Sequence, residues 1–146
     1  MQARDVPIAT SARWRRMASA RKILMGILFL FFNRKDKKRR FHILHYEMWD
    51  WIARELEEAK PRDLRASNFV DSLKKSFCRV NSKKESILYD CYLCDFYSQC
   101  SECPLFRKYK IFCSEDNSLY TIAKSPGYSR KERIEAARKI RDCIRS

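Results

Sequence analysis

Residues 41–60 read FHILHYEMWDWIARELEEAK. The apolar residues in this stretch recur every three or four positions, the spacing that places side chains on one face of an α-helix. Pro61 follows and ends the pattern, because proline lacks the amide hydrogen that a helix interior requires. The stretch predicts an amphipathic helix whose buried stripe, flanked by Trp49 and Trp51, consists of Phe41, Leu44, Met48, Ile52 and Leu56.

Further helical signals follow along the chain. Asp63 is a common N-cap residue and predicts a second helix that runs to Phe77. Residues 116–124 predict one or two helical turns that stop before Pro126. Ser129, with Glu132 three positions later, forms a capping box and predicts a last helix. Its apolar positions are Ile134, Ala137, Ile140 and Ile144, with Arg and Lys on the other faces.

The composition supports a helical fold. The chain has 146 residues, of which 45% are apolar and 34% charged, so it is able to form one hydrophobic core. Only two glycines and four prolines occur. This scarcity argues against a fold of many β-strands, which requires frequent tight turns. The sequence predicts a mainly α, small helical domain that is stapled by a metal in its cysteine-rich region.

The first forty residues differ from the rest. They hold twelve of the 32 Lys and Arg residues but only two of the 18 Asp and Glu residues, so most of the net charge of +14 lies there. We therefore divide the chain into residues 1–40, a basic and apolar N-terminal extension that is disordered or non-native, and residues 41–146, the helical zinc-binding domain. Without the extension, the domain is only mildly basic.

The apolar part of this extension, residues 23–32, is too short to span a bilayer, which needs about 20 residues. The basic block 34–40 follows it without a small-residue cleavage site, which argues against a secretory signal. Two alternatives stay open for this region. Residues 13–40 would contact a membrane surface, or they would act as a nucleic-acid arm.

The cysteines carry the strongest chemical signal. Residues 91–106 read CYLCDFYSQCSECPLF, with two CxxC pairs, and a further cysteine follows at position 113. A CxxC pair lets two thiolates turn onto one ion, and two pairs complete a tetrahedral zinc shell. Only five residues separate the pairs, so the fifth cysteine is able to replace one of the four. The sequence predicts one zinc ion bound by four of Cys91, Cys94, Cys100, Cys103 and Cys113.

Two rival explanations of the cysteines were weighed. Disulfides require an oxidising compartment, and seven is an odd number of cysteines. An iron–sulfur cluster is the stronger rival, since Cys103 is followed by Pro104 as in bacterial ferredoxins, although the spacing differs. Cys78 and Cys143 fall on helical patterns and are predicted to be ordinary buried thiols.

The order of these features resembles a group of small cysteine-rich proteins encoded by bacteriophages and prophages of Gram-positive bacteria, whose activity is unassigned. The resemblance covers residues 41–146 and is carried by the order CxxC, CxxCPL and a lone Cys, with Ser118-Leu-Tyr120 and the closing helix after it. The interval between the CxxC pairs is shorter here than expected of relatives. The resemblance implies a phage accessory protein in the cytoplasm of the bacterial host, with a structural metal and no reaction.

No catalytic constellation is visible in the sequence, so no enzyme is predicted. His42 and His45 are the only histidines, and an all-thiolate zinc site leaves no position for a water molecule. The predicted function is therefore binding, with a protein partner favoured and the two tryptophans of the first helix as anchors. The alternative is nucleic-acid binding by the basic and aromatic loop 106–112, through Arg107, Lys108, Tyr109 and Lys110.

Overall fold

The computed structural model describes residues 34–81 and 92–145; residues 1–33 of the predicted extension, and Cys91, lie outside this part. Over the described residues the chain is helical and has no β-strand, as the composition predicted. A 3₁₀ turn covers Cys100–Glu102. The α-helices are α1 (Arg34–Glu58), α2 (Pro61–Arg65), α3 (Phe69–Asn81), α4 (Tyr92–Phe96), α5 (Pro104–Tyr109), α6 (Leu119–Lys124) and α7 (Arg130–Asp142).

Helix α1 begins seven residues before Phe41, so the basic block 34–40 forms its first two turns. The helix thus crosses the predicted boundary between the extension and the domain. No glycine or proline interrupts residues 34–58, which explains the continuity. The predicted stripe is buried from Leu44 onward, and both tryptophans are buried as well, with 0% of Trp49 and 2% of Trp51 exposed.

The single helix predicted from Asp63 to Phe77 is instead two helices. Pro61 occupies the first turn of α2, where its missing amide hydrogen is not needed, so Lys60 rather than Asp63 is the N-cap. Ala66 has extended backbone angles and ends α2. Ser67 and Asn68 follow, and both residue types favour caps and turns over helix interiors. Helix α3 then begins at Phe69.

The core lies between α1 and the other helices. Helix α1 packs mainly against α7 and also against α3 and α4, while α6 packs against α7 and α3. Aromatic pairs join these elements: Trp51 lies 6.1 Å from Phe77, and Trp49 lies 6.0 Å from Tyr120, between ring centroids. Along the ranges 34–81 and 92–145, no helix is both long and apolar enough to cross a lipid bilayer.

One arginine belongs to this core. Arg133 of α7 is 1% exposed, although the sequence pattern places arginines on the outer faces of the last helix. Its guanidinium donates hydrogen bonds to the carbonyls of Ala123 and Lys124 at the end of α6, at 3.0 and 3.3 Å. It also donates to the carbonyl of Leu64 in α2, at 2.7 Å. Arg133 therefore connects three helices through main-chain oxygens.

The predicted capping box of α7 is confirmed. Ser129 Oγ accepts a hydrogen bond from the Glu132 amide at 3.2 Å, and the Ser129 amide donates to Glu132 Oε2 at 2.8 Å. We expect Ser129→Ala to lower the free energy of unfolding by about 1 kcal/mol, because the Glu132 amide then loses its partner. Urea unfolding followed by circular dichroism measures the change. Ser114→Ala, at an exposed position outside the helices, is the control and should be neutral.

Candidate metal centre and binding surfaces

Cys103 is the best-defined member of the cysteine segment. It is the N-cap of α5, with Pro104 in the first turn, and it is 7% exposed. Burial raises the pKa of its thiol, the backbone N–H groups of Phe106 and Leu105 oppose this by donating hydrogen bonds to the sulfur, and the thiols of Cys94 and Cys100 raise it further. A sulfur that receives two backbone N–H groups at a helix start is well prepared to become a metal-bound thiolate.

The other predicted ligands surround Cys103 more loosely. Cys94 and Cys100 lie near enough for their charges to act on its thiol. Cys94 and Cys113 are half-buried and pack against the core, whereas Cys100 is exposed. The carbonyl of Cys113 accepts a hydrogen bond from Ser118 Oγ at 2.9 Å, which fixes it to the start of α6. Cys91 lies outside the described residues.

These thiols suit zinc in chemistry but are not grouped as a finished site. In the part of the chain that the structure describes, no three His, Cys, Asp or Glu side chains are arranged to hold a metal ion. A cysteine has one side-chain torsion ahead of its sulfur, so a rotamer change moves the sulfur without moving the backbone. Convergence of the thiols on an ion therefore requires side-chain rotation, together with the contribution of Cys91 if this residue is a ligand.

Cys143 also lies in this region. It was predicted to be an ordinary buried thiol, and it is 6% exposed at the end of α7. Burial raises the pKa of its thiol to about 12, and the thiols of Cys103 and Cys113 contribute to this rise. The odd number of cysteines was the one sequence signal for a further member of the cluster, since helical spacing alone assigned this residue to packing.

The two histidines have different environments. His45 is fully buried, and its Nε2–H donates to the carbonyl of Ile140 at 2.7 Å. Burial lowers the pKa of His45 to about 4, so the ring is neutral at pH 7. His42 is half-buried and hydrogen-bonded through Nε2 to the Tyr97 hydroxyl at 2.7 Å; burial and then Lys38 lower its pKa.

The basic and aromatic loop, predicted as a nucleic-acid surface, folds as α5 and the turn after it. Arg107, Lys108 and Lys110 are exposed, while Tyr109 is half-buried. Lys110 has a φ of 58°, the left-handed conformation that ends α5. The ring of Phe112 is 47% exposed and stacks on that of Phe106, with 4.6 Å between centroids. The cations are therefore available to a partner.

A groove of about 540 Å³ lies between the first turns of α1 and the end of α7; we call it the basic groove. Apolar groups contribute much of its lining, including the side chain of Ile43, which is 37% exposed. The guanidinium groups of Arg141 and Arg145 lie 5.3 and 4.5 Å from the centroid of the Tyr46 ring. The lining residues are Lys35, Lys38, Arg39, His42, Ile43, Tyr46, Glu47, Ile144 and Arg145.

A scan against protein-family models, a search of curated proteins and a search of solved structures each returned no match for the chain. The resemblance to phage proteins, which rests on the cysteine order, therefore stays a prediction. Chemistry and geometry alone carry the functional argument that follows.

Proposed function

We propose that this protein is a non-catalytic binding protein, stabilised by one zinc ion, that docks an acidic and partly apolar protein segment in the basic groove. The observation that carries the proposal is the lining of the groove, which combines four cations with the apolar groups of Ile43 and Ile144. A surface of this kind complements a helix or strand with carboxylates on its edges and aliphatic side chains facing the protein. The resemblance in cysteine order adds an accessory role in the cytoplasm of a phage host.

A protein segment suits the groove better than a nucleic acid does. Stacking of unpaired bases requires an aromatic face that is open to the partner. The Tyr46 ring is already contacted by Arg141 and Arg145, so a base would have to displace a guanidinium group. The exposed aliphatic side chain of Ile43 has no counterpart on a phosphate backbone, whereas a leucine or isoleucine of a partner would bury it.

The anchors expected for a protein partner are different ones. Trp49 and Trp51 were predicted as interface residues, but both are buried in the core, so neither is able to contact a partner. The tryptophans face α3 and α6 because the apolar stripe of α1 is wide enough to include them. The exposed part of α1 that remains is its basic start, which borders the groove.

In this proposal the zinc ion is structural. Four of Cys91, Cys94, Cys100, Cys103 and Cys113 would hold it, and it would supply folding free energy to a segment that has only short helices. The neutral, buried ring of His45 and the raised pKa of the Cys143 thiol give no imidazolium–thiolate pair, which fits a protein without a cysteine nucleophile. An iron–sulfur cluster is the alternative cofactor, and visible absorbance of anaerobically purified protein would favour it.

Nucleic-acid binding is the second candidate because Arg107, Lys108 and Lys110 are exposed together on and after α5. Lys108 also lies near Asp142, so this surface approaches the end of α7. Phosphate contacts release counterions, and binding of this kind therefore weakens steeply as salt rises. An acidic peptide held partly by apolar contacts would depend less on salt.

The test is binding of the full chain to a labelled synthetic peptide with glutamates on one helical face and leucines on the other. We expect the double variant Lys38→Glu, Arg39→Glu to weaken binding at least about tenfold, because it places two negative charges on the groove wall. Both positions are exposed and near the start of α1, where glutamate is favourable, so the fold should tolerate the change. Fluorescence anisotropy at two salt concentrations measures the affinity.

The control is Lys75→Glu, Lys131→Glu, which makes the same charge change at exposed positions of α3 and α7 outside the groove. It should change the affinity less than twofold. Equal losses in both double variants would reduce the effect to net charge and contradict the proposal. Tighter binding of DNA or RNA oligonucleotides that needs Arg107, Lys108 and Lys110 would instead establish the second candidate.

A further inference from the structure

Cys143 is a neighbour of cysteines that are remote in sequence. It ends α7, thirty positions after Cys113 and forty after Cys103, yet the thiols of both act on it electrostatically. Cys94 and Cys100 act in turn on Cys103. The fold therefore gathers thiols from the cysteine segment and from the last helix into one region of the core, and Cys103 connects the two groups.

Cys78 shows the contrasting environment of a packing cysteine. It is 0% exposed in the middle of α3, and the hydroxyl of Tyr92 donates a hydrogen bond to its sulfur at 3.4 Å. Neither Cys103 nor Cys143 has its pKa raised by this thiol. Two cysteines with the same apparent helical spacing thus occupy different surroundings, and only Cys143 lies among other thiols.

A metal ion explains a cluster of this kind. Buried thiols resist ionisation one by one, because each thiolate would be an unpaired charge in apolar surroundings. A divalent cation takes the place of their protons and neutralises the thiolates together. The surroundings of Cys143 also provide an outer hydrogen-bond donor: its sulfur lies 3.7 Å from His45 Nε2, whose N–H donates to the Ile140 carbonyl one turn earlier.

We propose that Cys143 is a zinc ligand, and that the ion is held by Cys94, Cys103, Cys113 and Cys143. This inference rests on the zinc ion of the proposed function and adds a ligand from outside the cysteine segment. Cys94 completes the set rather than Cys100, because Cys94 packs against the core and Cys100 is exposed. The ion then fastens the end of α7 to the segment that contains α4 and α5.

The first experiment compares zinc content and zinc affinity in three variants of the full chain. Cys143→Ser should lose its zinc or bind it at least about tenfold more weakly, as judged by elemental analysis and by competition with a chromophoric chelator. Cys78→Ser, a buried control, and Cys100→Ser, an exposed one, should each retain one zinc ion per chain. Full zinc content and unchanged affinity in Cys143→Ser would overturn the proposal while leaving the structural zinc in place.

A second experiment needs no variant and so does not depend on the folding of Cys143→Ser. Wild-type protein loaded with ¹¹³Cd is examined by ¹¹³Cd–¹H correlation, in which scalar coupling through sulfur identifies the cysteines bound to the metal. We expect couplings to the β-protons of Cys94, Cys103, Cys113 and Cys143. A coupled set without Cys143 contradicts the inference alone, whereas wild-type protein that binds neither zinc nor cadmium contradicts the proposed zinc function as well.

Discussion

Replacement of Cys103 by serine is expected to remove the zinc ion and to lower the free energy of unfolding by about 3–6 kcal/mol. Cys103 is the cysteine with the most neighbouring thiols, and its sulfur receives two backbone N–H groups at the start of α5. A serine hydroxyl is a poor zinc ligand, so the change removes part of the roughly 10–16 kcal/mol that zinc contributes in zinc-finger peptides. The segment 100–113 would then lose its main attachment.

Elemental analysis and urea unfolding with and without a chelator measure this effect. Wild-type protein should contain about one zinc ion per chain, and chelation should lower its unfolding midpoint to that of Cys103→Ser. Cys78→Ser separates metal loss from cavity effects, because it perturbs a buried sulfur and should keep the zinc. A chelator that leaves wild-type unfolding unchanged would show that the helical core needs no metal.

Replacement of Arg133 by methionine should lower the free energy of unfolding by about 3–5 kcal/mol. Methionine fills much of the same volume but donates no hydrogen bond, so the carbonyls of Leu64, Ala123 and Lys124 lose a charged donor together. Each buried carbonyl left without a partner costs roughly 1–3 kcal/mol. Because these oxygens belong to α2 and α6, the loss should loosen the packing of both helices against α7.

Arg130→Met is the matched control on the same helix. Arg130 also donates to two carbonyls, those of Glu57 and Ala59 at 2.6 and 2.7 Å, but it is half-exposed, so water is able to replace it. We expect a loss of about 1 kcal/mol there. Denaturant unfolding of both variants, with hydrogen exchange at the amides of α6, distinguishes them. Equal losses would mean that the burial of Arg133 adds nothing to its role.

The helical class was predictable because its signals are local. The stripe from Leu44 to Leu56 and the capping box of Ser129 and Glu132 need only neighbours within one or two turns, and both are confirmed. The break between α2 and α3 was missed because Asp63 was a plausible cap by itself. Pro61 fits the first turn of a helix as well as it ends one, and pattern alone did not separate these roles.

The parts that escaped prediction depend on contacts between distant segments. Arg133 was assigned to the surface by its charge, since nothing near it in sequence reveals that the carbonyls of Leu64 and Lys124 await a donor. Cys143 was assigned to packing by its spacing, whereas its relation to Cys103 exists only after α7 docks. The ligand set and the partner remain predictions for the same reason.

The pairing of α1 with α7 has a consequence for biosynthesis. More than eighty residues separate the ends of these two helices, and each is the principal packing partner of the other. At roughly 5–20 residues per second, a ribosome needs about 4–17 s to make that interval. During this time the side chains of Met48, Trp49 and Ile52 lack their final cover. The nascent chain should therefore be a chaperone client, and a nonsense mutation ahead of Arg130 should yield a product that is degraded rather than partly folded.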